Sequence, residues 1–128
     1  MTDLKTIALA YVEAASTKDL GRLTGLLADD LTFVGPTSRY HTAAEVLAAL
    51  RRLTAIHVRN DIKRVFVDGA EACVIYDFVT DTEIGAVPTV EWLRIEDGRI
   101  RSIRLFYDRV PWQTVLVELQ RRAAQPRV

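Results

Sequence analysis

The sequence predicts an α+β fold in which helices gather on one face of a mostly antiparallel sheet. Apolar residues recur at helical spacing through residues 3–16, 19–28 and 41–53, after which the apolar period changes to that of strands. Two dipeptides, Asp68-Gly69 and Asp97-Gly98, separate consecutive strand-like runs and are typical hairpin signals. With 128 residues, 49% of them apolar, the chain is predicted to form a single domain over residues 1–128.

Each of the first three helices carries its own signal. The first has an apolar stripe that includes Tyr11, and Asp3 or Thr2 is available to cap its start. The second contains two glycines, which lower helix propensity, so we expect it to be short and held by packing. Thr42, followed three residues later by Glu45, forms a capping-box signature for the third helix.

The strands and the last helix are predicted from turn-forming residues and from the spacing of apolar residues. "LTFVGP" predicts a brief strand stopped by Gly35 and Pro36. The two hairpins pair residues 57–67 with 70–80 and residues 87–95 with 99–108, and the intervening loop is expected to bend the sheet at Gly85. Helical spacing resumes over residues 110–124, with Pro111 in the first turn.

Composition excludes several classes of function. Lys plus Arg equals Asp plus Glu at 17 each, so neither nucleic acid nor an anionic membrane is indicated as a partner. No apolar run approaches the ~20 residues of a membrane span, and "MTDLK" lacks a signal-peptide core, which favours a cytoplasmic location. The single cysteine excludes an intrachain disulfide. No metal-ligand spacing and no glycine-rich phosphate loop is present, so neither a metal nor a cofactor is predicted.

Three segments together resemble the nuclear transport factor 2-like superfamily, particularly its SnoaL-like and ketosteroid-isomerase-like members: "YVEAASTKDLGRLTGLLADDLTF", "HTAAEVLAAL" and "VEWLRIEDGRIRSIRLFYD". The resemblance implies a cone of three N-terminal helices packed on a strongly curved sheet, with a pocket between the helices and the concave face. It also implies a homodimer through the outer face of the sheet. Apolar residues expected on that face favour such a dimer: Ile75, Val79, Val90, Trp92 and Phe106.

The resemblance also suggests catalytic residues. In the isomerases, a tyrosine on the first helix and a protonated acid on a later strand donate hydrogen bonds to a dienolate oxygen, and an aspartate after the first strand moves the proton. Tyr11 and Glu91 fall at the two donor positions, the acid being Glu rather than Asp. Gly35 falls at the position of the aspartate and has no side chain, which argues against steroid isomerisation.

Strand alternation, combined with the resemblance, predicts which residues line the pocket. The predicted ligand-binding residues are Phe33, Val74, Tyr76, Phe78, Ile103, Leu105 and Tyr107. Such a pocket suits a small hydrophobic molecule with one or two oxygens. Two further candidates are Asp108, which capping of the last helix would explain equally well, and His41, which could hang over the pocket mouth.

Three functions remain open at this point. The first is a cofactor-independent acid/base enzyme of isomerase, cyclase or dehydratase (lyase) type, in which Tyr11 and Glu91 polarise an oxygen of the substrate. The second is a non-catalytic module that binds a hydrophobic ligand, and the third is a structural dimer whose side chains fill the cavity. Tyr11 could also be a core tyrosine bonded to a backbone carbonyl, and Glu91 an exposed strand residue. Whether the cavity is open and whether Glu91 points into it would separate these readings.

Overall fold

In the computed structural model, which describes residues 3–124, helices cover one face of a six-stranded sheet. In chain order the elements are α1 (Leu4–Ser16), α2 (Leu20–Leu26), β1 (Leu27–Val34), β2 (Arg39–Tyr40), α3 (Ala43–Leu53), β3 (His57–Asp68), β4 (Glu71–Thr80), β5 (Ala86–Glu96), β6 (Arg99–Tyr107) and α4 (Arg109–Ala124). The strand order is β2-β1-β6-β5-β4-β3, and every pairing is antiparallel except that of β1 with β6. The predicted α+β class is confirmed.

The helices begin where the sequence provides caps. Asp3 accepts a hydrogen bond from the backbone N–H of Thr6 at 2.7 Å and caps α1, whereas Thr2 lies outside the described residues. At α3 the backbone N–H of Glu45 donates to the Thr42 hydroxyl at 3.2 Å, as the capping box predicts. The second helix ends at Leu26, earlier than predicted, because the backbone of Leu27 is already extended and begins β1.

The hairpin between β3 and β4 turns one residue later than predicted. Asp68 pairs with Glu71, so the two loop residues are Gly69 and Ala70. Gly69 has a φ of +59°, a conformation that glycine adopts without a steric penalty. The glycine therefore occupies the first central position of the turn.

The hairpin between β5 and β6 turns at the predicted dipeptide. Asp97 and Gly98 both have positive φ, 53° and 74°, as a type I′ turn requires. Gly85, with a φ of +71°, lies in the loop between β4 and β5 and not within a strand. The register of β3 against β4 instead shifts twice, between His57 and Arg59 and between Ile62 and Arg64, and bulges of this kind increase the bend of a sheet.

The helix α4 follows the last strand and completes the apolar interior. Trp112 and Val115 on α4 are buried, and the ring of Trp112 lies 5.8 Å from that of Phe78 on β4. Near the other end of α4, Arg122 donates to the carbonyl of Ala55 at 2.9 Å and forms an ion pair with Asp81 at 2.7 Å. Within residues 3–124, no helix combines the length and apolarity that crossing a bilayer requires.

Candidate functional site

A cavity of about 180 Å³ lies between the helices and the concave face of the sheet. Its walls come from α1, α3 and α4 and from all six strands, and they are mainly apolar. A cavity of ~150 Å³ admits benzene. The cavity therefore has room for a small ring or a short chain.

Glu91 faces the interior because of the register of its strand. On β5 it pairs with Val74 of β4 and with Leu105 of β6, and directly opposed residues share one face of a sheet. The Val74 side chain is fully buried, and Glu91 itself is only 4% exposed. An ionisable group thus lies in a row of apolar neighbours, on the wall of the cavity.

Two tyrosines hold the Glu91 carboxyl group. The Tyr11 hydroxyl, on α1, donates to Oε1 at 2.8 Å, and the Tyr76 hydroxyl, on β4, donates to Oε2 at 2.7 Å. Both tyrosines are buried and line the cavity. Each carboxyl oxygen therefore has a hydrogen-bond partner, which a buried polar group needs. We call these three residues the Tyr–Glu–Tyr cluster.

Burial controls the protonation of the Tyr–Glu–Tyr cluster. Loss of solvation raises the pKa of Glu91, and the hydrogen bonds from Tyr76 and Tyr11 offset part of that rise. Burial and the nearby carboxyl group raise the pKa of Tyr11 and of Tyr76 well above the ordinary phenol value. The phenols therefore keep their protons, and Glu91, whose carboxyl pKa starts far below theirs, is the member of the cluster that can exchange one.

A second polar group on the cavity wall, the amide of Asn60, was not predicted from the sequence. Asn60 of β3 lines the cavity, and its amide nitrogen donates to the carbonyl of Val12 at 3.0 Å. Its amide oxygen lies 2.8 Å from Nε2 of buried His57, whose ring stacks on Phe78 with centroids 4.0 Å apart. Burial lowers the pKa of His57, which favours the neutral imidazole as the hydrogen-bond partner of Asn60.

The outer part of the cavity is more polar and more exposed. The hydroxyls of Tyr107 and Thr37 are 2.9 Å apart, and Thr37 is exposed. Arg52, near the end of α3, also lines the cavity and is exposed. Because Glu91 is buried whereas Thr37 and Arg52 are exposed, we call the end of the cavity at the Tyr–Glu–Tyr cluster its closed end and the solvent-exposed side that includes Thr37 and Arg52 its mouth.

The structure brings most, but not all, of the predicted pocket residues to the cavity. Those that line it, besides Tyr11 and Glu91, are Phe33, Tyr76, Phe78, Leu105 and Tyr107. Val74 and Ile103, both fully buried in the core, do not line it. Gly35 does line it, and a Cβ there would lie 3.4 Å from the Phe33 ring.

The two further candidates lie away from the cavity. His41 is exposed, and its backbone N–H donates to the Glu45 side chain at 3.1 Å as part of the start of α3. Asp108 is exposed and accepts from the backbone N–H of Val110 at 2.9 Å, at the start of α4. Helix capping therefore accounts for the Asp108 carboxylate, and the backbone of His41 belongs to the start of α3. Among residues 3–124, no group of three or more His, Cys, Asp or Glu side chains is placed to hold a metal ion.

The fold is that of the nuclear transport factor 2-like proteins. An NTF2-like protein of Cytophaga hutchinsonii is 18% identical with a TM-score of 0.76, over 88% of this chain and 96% of that one. A "putative polyketide cyclase" of Sinorhizobium meliloti is 22% identical with a TM-score of 0.70, over 78% and 93% of the two chains. A "putative ketosteroid isomerase" of Kribbella flavida is 20% identical with a TM-score of 0.70, over 80% and 75%.

The sequence defines the family more narrowly. The model of the SnoaL-like domain matches residues 8–103, and the chain belongs to this family. The search of curated proteins returns no match. Because one fold of this kind carries many activities, the activity has to be argued from the cavity itself.

Proposed function

We propose that the cavity binds a small, mainly apolar molecule whose carbonyl or hydroxyl oxygen contacts the Tyr–Glu–Tyr cluster. The observation that carries this proposal is the buried Glu91 carboxyl group on the cavity wall, with one phenol on each oxygen. Replacing such a buried polar group by apolar residues is often neutral or stabilising. Stability alone therefore does not account for Glu91, whereas recognition of an oxygen does.

Glu91 supports acid/base chemistry on such an oxygen. The neutral carboxylic acid donates a hydrogen bond to a ligand carbonyl and stabilises the negative charge that develops when an enolate forms. The ionised form accepts a proton from a carbon next to the carbonyl, and returning that proton to another carbon completes an isomerisation. This is the chemistry of a cofactor-independent isomerase, cyclase or dehydratase.

Non-catalytic binding is the second candidate, and one observation favours it. Among the described residues that line the cavity, Glu91 is the only carboxyl group, and Gly35 supplies no second one. A single acid can anchor a ketone without removing a proton from it. Enzyme and binder therefore differ in whether Glu91 exchanges protons with the carbon skeleton of its ligand.

Acetophenone, a small ketone with exchangeable methyl hydrogens, tests both candidates. Calorimetry measures its binding, and proton NMR in D₂O measures exchange of its methyl hydrogens for deuterium. For an enzyme we expect exchange that Glu91→Gln abolishes and that Glu83→Gln, in an exposed loop, leaves intact. Binding without exchange supports the binder. Absence of binding by acetophenone and by a panel of ketones and alcohols of similar size would contradict the proposal.

A further inference from the structure

We propose that Arg52, at the cavity mouth, binds a carboxylate on the ligand, so that the preferred ligand is a small apolar keto acid. The carbonyl oxygen lies at the Tyr–Glu–Tyr cluster, and the carboxylate lies at the opposite, solvent-facing end of the molecule. This inference rests on the proposed function, since it assumes that the cavity holds a ligand, and it adds the charge and the orientation of that ligand.

The position of Arg52 carries the inference. Arg52 lines the cavity and is exposed, so a ligand carboxylate can reach it without losing all contact with water. The ion pairs within residues 3–124 join acidic residues to other cations, such as Asp81 to Arg122, and none includes Arg52. Arg52 therefore has its planar set of N–H donors available, and that set matches a carboxylate with two parallel hydrogen bonds.

The dipole of α3 explains why arginines lie at the end of this helix, but it does not explain why one of them lines the cavity. Arg51 and Arg52 both lie in the last turn of α3, where a cation interacts favourably with the helix carbonyls. Only Arg52 of the two lines the cavity, and Arg51 is exposed elsewhere on the same turn. Arg51 thus provides a control with the same charge, helix and exposure.

The two ionisable residues on the cavity wall favour one orientation. At the closed end, where Glu91 is buried, a ligand carboxylate would lose its hydration and find no cation among the described lining residues to replace it. Arg52 at the mouth attracts that carboxylate instead. A keto acid is therefore held with its carbonyl inward, which is the orientation that acid/base chemistry at Glu91 requires.

Two probes of nearly the same shape isolate the charge. 4-Acetylbenzoate carries a carboxylate para to its acetyl group, and 4-nitroacetophenone carries a neutral nitro group in its place. We expect calorimetry to show that the wild-type protein binds 4-acetylbenzoate roughly three- to tenfold more tightly than 4-nitroacetophenone. Arg52→Gln should remove that preference, whereas Arg51→Gln should keep it.

The outcomes separate this inference from the proposed function. Equal binding of both probes by the wild-type protein, or equal loss of the preference in Arg51→Gln and Arg52→Gln, overturns the role of Arg52 while the ketone site stands. If neither probe binds, and neither does acetophenone, both the inference and the proposed function are wrong. A higher salt concentration should weaken only the preference for the carboxylate, since salt screens the exposed charge pair.

Discussion

The hydroxyl of Tyr11 on the first helix donates to the carboxyl group of Glu91 on the fifth strand at 2.8 Å, although 80 residues separate them in the chain. Both side chains are buried, so the bond joins the helical layer to the sheet inside the cavity wall. A polar contact in such a place contributes little net stability when it is complete and costs more when one partner is removed.

Removal of the Tyr11 hydroxyl should therefore destabilise the protein without unfolding it. In Tyr11→Phe the ring still fills its space, but Glu91 keeps only the hydrogen bond from Tyr76. We expect the free energy of unfolding, measured by urea denaturation at neutral pH, to fall by about 1–2 kcal/mol. Tyr40→Phe, on the cavity wall but outside the cluster, is the control and should change it by less than about 0.5 kcal/mol. Equal effects of the two substitutions would show that the Tyr11 hydroxyl has no special role.

The raised pKa of Glu91 should make stability depend on pH. Unfolding returns Glu91 to water, where its pKa is near 4.5, so between that value and the raised pKa the folded state binds more protons than the unfolded state. The contribution of Glu91 to stability is then complete below about pH 4.5 and is lost as the pH rises through the raised pKa.

Glu91→Gln tests that dependence, because the amide does not titrate. We expect its stability relative to the wild-type protein to increase as the pH rises from 4.5, in urea denaturations at several pH values. Glu83→Gln should show no such trend, since Glu83 is exposed. A difference between Glu91→Gln and the wild-type protein that stays constant with pH would contradict the raised pKa.

Steroid isomerisation should be absent or very weak. Gly35 places no carboxylate in the cavity, and loss of a general base typically costs ~10²–10⁴-fold in rate. Conversion of a 5-ene to a 4-ene ketosteroid, followed by ultraviolet absorbance, should stay within that residual range. Rapid conversion would show that another group acts as the base.

We propose that the chain forms a homodimer through the outer face of the sheet. Phe106 and Trp92 on that face are 50% and 40% exposed, and Phe106 pairs with Val90, which pairs with Ile75. Light scattering at tens of micromolar should give the mass of a dimer, and Phe106→Glu should give that of a monomer. Val117→Glu on α4, a position 64% exposed, should stay dimeric. A monomeric wild-type protein would refute the proposal.

Local signals predicted the helices and turns, and strand alternation, combined with the resemblance, placed Tyr76 and Phe78 on the concave face. The place of Asn60 on the cavity wall was not predicted, because it depends on a β-bulge in β3. Counted from the turn, Phe78 would pair with Asp61, but the register shift between Ile62 and Arg64 pairs Phe78 with Asn60 and turns the amide inward. No local sequence signal marks that shift.

The direct hydrogen bond between Tyr11 and Glu91 also could not be predicted from the sequence. The resemblance placed both at donor positions, facing one ligand oxygen from two walls. In the structure the two side chains contact each other, and Tyr76 completes the cluster. Distances between elements far apart in the chain depend on how the helices pack on the curved sheet, which alternation and capping do not determine.

The central claim is that Glu91 donates a hydrogen bond to a ligand oxygen, and a carbon-13 NMR titration of the Glu91 side-chain carboxyl group tests it most directly. We expect a pKa above the ordinary value of 4.5 without ligand, and a further rise with saturating acetophenone, because the neutral acid donates to the ketone. A pKa that is the same with and without bound ketone would contradict the claim, since the ligand would then bind without contacting Glu91.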